Sequence, residues 1–407
     1  MEATVEQITA AITALNDKYW YVVMALLFVA GVWFTIRTVG VQVRMLPEML
    51  RSVTAKSQTG FENDGVSPFR AFTISAASRV GTGNVAGVAI AIVIGGPGAV
   101  FWMWLLAIIG GATAFVESTL AQLYKQKGSD GYFGGPAYYI RDGLGAKWLA
   151  AVFAVAITVT YGFVFNAVQS NSISESVQAN WGASSTTAWI VGLGLAALTG
   201  LVIFGGVRRL SAVTNVLVPV MATFYIFLAL IVMVVNITEV PGMIALIVGH
   251  AFGLREVAGA AVGMTMVMQG VRRGMFSNEA GMGSAPNAAA TAAVSHPAKQ
   301  GFVQSLGVYF DTLIVCSATA FVILLSNPAY GRGEAIGMQV TQGALQQAVG
   351  AWAGPALTVI IFFLAWSSVL GNTYYGEANI RYLAGRHAGR AITVFRVLVL
   401  VCVVGGA

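Results

Sequence analysis

Ser78-Arg79-Val80-Gly81-Thr82-Gly83-Asn84 reads, at an offset of 200 residues, like Asn278-Glu279-Ala280-Gly281-Met282-Gly283-Ser284. Both run small polar, charged, small apolar, Gly, any residue, Gly, small polar. Each sits inside an apolar run, 70–95 and 268–296, with about twelve residues on either side. Twelve helical residues rise about 18 Å, roughly half of a bilayer. Both interruptions are therefore predicted near the membrane midplane, the first in a helix running outward and the second in one running inward. Unwound backbone is tolerated at that depth only where it is buried in protein or lines a cavity. A single GxG reads most simply as close helix packing. Two of them at corresponding positions of opposite-facing halves, each beside a charge and a small polar residue, read as the substrate site of a secondary transporter with an inverted repeat. The outgoing half-helices would offer amide N–H groups to a carboxylate. The incoming ones would offer carbonyls to an ammonium or a sodium ion.

The rest of the 407-residue chain agrees. Hydrophobic residues make up 57% and charged residues 9%, against roughly 25% charged in soluble domains. That excludes a soluble enzyme, a disordered chain and a nucleic-acid binder, despite a net charge of +6. The 48 glycines suit packed membrane helices. Cys316 and Cys402 lie in apolar runs, with no CxxC or Cys/His cluster, so neither a disulfide framework nor a zinc site is expected. Spans are expected at 20–36, 70–95, 98–124, 148–178, 186–206, 211–236, 268–296, 302–326, 354–382 and 391 to the end. The fold class is an all-α polytopic membrane protein. With the N-terminus outside, fifteen lysines and arginines fall in inner segments and three (Lys18, Arg255, Arg332) in outer ones, a bias that fixes the orientation. Four parts are expected: an N-terminal helix and cytoplasmic amphipathic segment (1–69), a first five-helix repeat (70–236), short half-helices on the outer face (237–267), and a second repeat from 268. Residues 125–147 read as a glycine-rich inner loop and 327–353 as an outer loop.

Three segments also resemble a known family. Gly81 to Gly87 (GTGNVAG) with Gly95 to Trp102 (GGPGAVFW), then Met275 to Pro286 (MFSNEAGMGSAP), and Val369-Leu370-Gly371 with Tyr374-Tyr375-Gly376-Glu377 are similar to signatures of the alanine or glycine:cation symporters. The resemblance runs from about residue 20 to the end. It implies the leucine-transporter-like fold, two inverted five-helix repeats with one extra helix in front, and sodium-coupled uptake of alanine or glycine. Gly81-Thr82-Gly83-Asn84 further resembles the break of the neurotransmitter:sodium symporters. By this pattern the second repeat needs five helices and four begin here, so the sequence ending at Ala407 reads as truncated.

Candidate residues follow. Gly81, Thr82, Gly83 and Asn84 would hold the substrate carboxylate on backbone N–H groups, facing Ser277, Asn278 and Gly281 of the second break. Asn84 also offers an amide oxygen to sodium; the plainer reading is an interhelical hydrogen bond. Ser367 and Ser368 lie in the eighth helix of the implied fold, where related folds set paired hydroxyls against first-helix carbonyls around sodium; the partners here would be Ala77 and Val80. Alternatively each serine bonds its own i−4 carbonyl. Phe163, Gln169 and Trp366 could wall the pocket and keep it small, or simply pack. Arg79 and Glu279, equivalent intramembrane charges, are expected to pair with each other or with other polar groups. Glu117 and Asp311, in the second helices of the two repeats and read as nearer the inner face, could serve as proton site, inner gate or structural acceptors.

The expectation is a carrier in the cytoplasmic membrane, with lipid, a small amino acid and sodium as partners and no organic cofactor. Proton coupling through Glu117, Glu279 or Asp311 is the variant. A small-solute channel is weaker, because paired asymmetric breaks do not make a filter. An intramembrane enzyme is weaker still, as no GxSxG or HExxH is present.

Overall fold

The computed structural model describes residues 2–55, 65–128, 131–182, 184–257, 259, 263–331 and 337–407, without the side chains of 2–6 and 8. Lys56 and Arg332 of the charge tally lie outside the described residues. Helix α1 (Glu2–Arg37) is followed by two short helices, α2 (Val41–Arg44) and α3 (Leu46–Thr54). The first interrupted span is α4 (Pro68–Arg79) and α5 (Gly83–Gly95), bent by 54°. Next come α6 (Ala99–Leu123), a hairpin of β1 (Gln126–Gly128) and β2 (Gly131–Phe133), and α7 (Pro136–Leu144). Three long spans follow: α8 (Lys147–Trp181), α9 (Ser185–Ile203) and α10 (Gly206–Val235). Helix α11 (Val240–Ala251) leads to the second interrupted span, α12 (Met264–Asn278) and α13 (Ala285–Ala289). The chain closes with α14 (Ala298–Leu325), α15 (Gly337–Val349), α16 (Ala353–Ala384) and α17 (Ala388–Gly406).

Burial sorts these helices. Helix α1 exposes Leu26 at 64%, Val29 at 69% and Ile36 at 66%, an apolar surface of the kind a membrane-spanning helix presents. It is also longer than the expected span 20–36, and its Asp17 accepts from Arg272 at 2.6 Å. By contrast α4, α5, α6, α12 and α14 pack on one another, with α10 and α16 closing the other side of α4. The main core runs from Val80, Val85 and Val88 through Met103 and Val218 to Leu364.

Three expectations change. The second interrupted span does not resume as a long helix: α13 has five residues, and Thr291 and Ala293 then bond the backbone of Val66 at 3.0 and 2.9 Å. The carbonyls this frees are capped by the inner end of α6. Gln122 donates to the carbonyls of Ala289 and Ala292, and Lys125 Nζ donates to Ala292 at 2.7 Å. Among its described residues, the segment 237–267 contains one three-turn helix, α11, whose His250 Nδ1 accepts the Gly98 amide at 3.2 Å. The outer loop 327–353 contains α15, seated on the first interrupted span where Thr341 donates to the Val85 carbonyl at 3.2 Å.

Candidate functional site

Low helix propensity at Gly81 and Gly83 lets the first span open. Helix α4 ends at Arg79, Val80 turns to φ −82°, ψ 87°, and α5 restarts as a π-helical turn over Gly83–Gly87. The freed amides find side-chain partners. Gly81 N–H donates to Asn84 Oδ1 at 2.9 Å and Thr82 N–H to Gln169 Oε1 at 3.3 Å. A Cβ on Gly83 would come 3.0 Å from the Phe276 ring, so the second interrupted span touches the first here.

The second break is built from left-handed residues. Glu279, Gly281 and Gly283 have φ of 57°, 83° and 72°. Asn278 Oδ1 accepts the Ala280 amide at 3.0 Å, and its Nδ2 reaches Thr312 Oγ1 at 3.0 Å. Two carboxylates bind the breaks together. Asp311 accepts from Asn84 Nδ2 (2.6 Å), Ser277 Oγ (2.7 Å) and Thr312 Oγ1 (3.1 Å). Glu279 accepts from Ser78 Oγ (2.6 Å) across the gap and from Ser284 Oγ (2.7 Å). Ser78 Oγ also lies 2.6 Å from an amide atom of Asn372. One hydroxyl carries one proton, so the Asn372 amide is the donor in that contact.

Arg79 and Glu279 do not bond each other. The left-handed turn at Glu279 sends its carboxylate toward the serines, while Arg79 lies along α14 with Nη1 donating to the Gln304 carbonyl at 3.3 Å. Asp311 is not nearer the inner face. Helix α14 begins four residues before the expected 302, which puts Asp311 mid-helix beside both breaks. Glu117 reaches the second break, accepting the Gly281 amide at 3.4 Å.

Ser367 Oγ donates to Leu364 O at 2.8 Å and lies 3.3 Å from Ala77 O; Ser368 Oγ donates to Leu364 O at 3.1 Å. A Cβ on Gly81 would overlap the Ser368 hydroxyl. Both serines thus face the turn from Ala77 to Gly81, with the Val80 carbonyl in the same turn. Phe163 and Trp366 face elsewhere. The Phe163 ring meets Phe395 edge-on, centroids 5.5 Å apart, and Trp366 Nε1 donates to Thr199 at 3.2 Å. The aromatic pair at the break is Phe165 and Phe276, 5.0 Å apart. Phe165 lies four residues before Gln169 and so shares its helix face; that spacing was the available signal. Asn372 likewise follows Ser368 by four. Cys316, 3.3 Å from Asn84 Nδ2, carried no such mark.

Two interrupted helices crossing at their breaks, tied by buried carboxylates inside a bundle of long apolar helices, define a polytopic secondary transporter. The chain belongs to the sodium:alanine symporter family, whose model matches residues 5–407. It is 51% identical over 392 residues to the amino-acid carrier protein AlsT of Bacillus subtilis, covering 96% of this chain and 82% of that one. It is 36% identical over 396 residues to the sodium/alanine symporter AgcS of Methanococcus maripaludis, covering 95% and 86%. Among solved structures, Mhp1, a nucleobase-cation-symport-1 transporter in a closed conformation with bromovinylhydantoin bound, matches with a TM-score of 0.54 at 12% identity, over 86% of this chain and 74% of that one. That likeness shows the leucine-transporter-like fold.

Proposed function

We propose that this chain imports a small neutral amino acid, alanine or glycine, together with sodium across the cytoplasmic membrane by alternating access, with its N-terminus outside. One observation carries the reading. The amides of Gly81 and Thr82, opened at the first break, are held only by neutral amide oxygens, those of Asn84 and Gln169. A substrate carboxylate is a stronger acceptor than either and exchanges with them at Thr82, Gly83 and Asn84. Carbonyls at the end of α12 and the polar face of Ser277, Asn278 and Gly281 receive the ammonium. Phe165 and Phe276 limit the side chain. The hydroxyls of Ser367 and Ser368 with the carbonyls of Ala77 and Val80 give a hard monovalent cation oxygen ligands, next to the same turn.

On this reading the inner-loop residues border a cavity. A cavity of about 420 Å³ lies between Tyr132 and Phe133 of the hairpin, Gly205 and Val207 of the α9–α10 turn, and Tyr374 and Glu377 of α16. Glu377 there is clasped by Arg396 through Nε and Nη2 at 2.6 and 2.8 Å.

Counterflow in proteoliposomes tests the proposal. Labelled alanine is expected to exchange for unlabelled alanine only with sodium present, and folded Gly83→Val to bind none, because a β-branched side chain meets Phe276 and fills the carboxylate's space. Exchange that follows a proton gradient and ignores sodium would favour proton coupling. Normal alanine binding by folded Gly83→Val would move the carboxylate away from this break.

A further inference from the structure

The two breaks are filled differently. At the first, the opened amides meet neutral oxygens. At the second, the Gly281 amide donates to a carboxylate, Glu117 Oε1, at 3.4 Å. Glu117 is 8% exposed. The left-handed turns at Glu279, Gly281 and Gly283 gather amides into a concave anion cradle. Helix α6 is held close over that cradle by one face, Gly110, Thr113 and Glu117 at i, i+3 and i+7. A Cβ on Gly110 would come 2.8 Å from Ala280 Cβ, and one on Gly281 would come 3.5 Å from Thr113 Cγ2.

We infer that Glu117 is a built-in stand-in for a substrate carboxylate: it fills the amide cradle of the second break, so that the first break alone reads the amino acid. An inverted repeat generates two breaks that each free backbone amides, whereas a zwitterionic substrate brings one carboxylate. With the second cradle occupied from within, the substrate has one orientation available. This rests on the reading that the first break takes the carboxylate. Glu117 does not touch the substrate; it is a positioning residue, and cutting back its side chain creates a site for a small free carboxylate.

The test uses the full chain, purified and reconstituted, with formate as probe. Glu117→Ala is expected to melt below wild type, and about 50 mM formate to raise its Tm by about 3 °C relative to chloride while leaving wild type unmoved. Alanine uptake by Glu117→Ala should fall at least about tenfold and recover severalfold with formate, with KM for alanine within about twofold of wild type. Glu117→Gln fills the same space without the charge. It should show a reduced Vmax, an unchanged KM and no response to formate, and it decides the matter if Glu117→Ala does not fold. A folded Glu117→Ala whose melting ignores formate, or Glu117→Gln with wild-type Vmax, overturns the inference. The formate shift in melting does not depend on which substrate or ion is carried, so it stands or falls apart from the Gly83→Val result.

Discussion

At the residue scale the site is a set of oxygen and nitrogen atoms with few spare valences. Asn84 is fully buried and uses both ends of its amide, Oδ1 on the Gly81 amide and Nδ2 on Asp311. The serine pair is different. Each hydroxyl reaches the same Leu364 carbonyl, and Ser367 Oγ also lies 3.3 Å from the Ala77 carbonyl of the Ala77–Gly81 turn. Replacing both, Ser367→Ala with Ser368→Ala, is expected to raise the half-saturating sodium concentration for uptake about tenfold, the equivalent of about 1.4 kcal/mol. Alanine binding at saturating sodium should change far less. A sodium titration of uptake that overlays wild type would make these hydroxyls packing groups and place the ion elsewhere.

At the scale of elements, the helix phase decides which aromatic faces the breaks. A π-helical turn over Thr160–Phe165 inserts extra backbone into α8 and turns Phe165, with Gln169, toward Phe276, while Phe163 goes to Phe395. Phe165→Ala should lower the preference for alanine over leucine about tenfold, a loss of roughly 1.4 kcal/mol of discrimination; Phe163→Ala should leave that ratio alone. Competition of labelled alanine uptake by leucine reads both. The same turn explains what was legible in the sequence. The breaks were, because glycine pairs and charges in an apolar run are local signals, and the 200-residue offset exposed their relationship. The serine pair and Gln169 were legible from position. Phe163 was not assignable, since a π-helical turn changes the facing of the residues around it without leaving a composition mark; Trp366, in a regular helix, turns to Thr199. The short α13 was also hidden: its freed carbonyls are satisfied by Gln122 and Lys125, distant in sequence. Asp311 was misplaced by a helix start four residues too late.

At the scale of the whole molecule, the charge distribution predicts the orientation. Cysteine placed by Lys127→Cys, beside the hairpin, should resist impermeant maleimide in intact cells and react after permeabilisation; labelling from outside would invert the topology. The bundle is also cross-tied. Asp311, in the second repeat, holds Asn84 of the first break, and Glu117, in the first repeat, holds the second. Opening to either side is therefore expected to move the two interrupted spans with α6 and α14 as one body against α8, α9, α16 and α17.

The opposite signs at equivalent positions, Arg79 in one half and Glu279 in the other, bear on descent. A protein assembled from two copies of the present first half would bury two arginines at its centre, and one from two copies of the second half would bury two glutamates. At about 2.5–3.5 kcal/mol for a charge at mid-bilayer, either assembly would carry two like charges there, whereas this chain carries one of each sign.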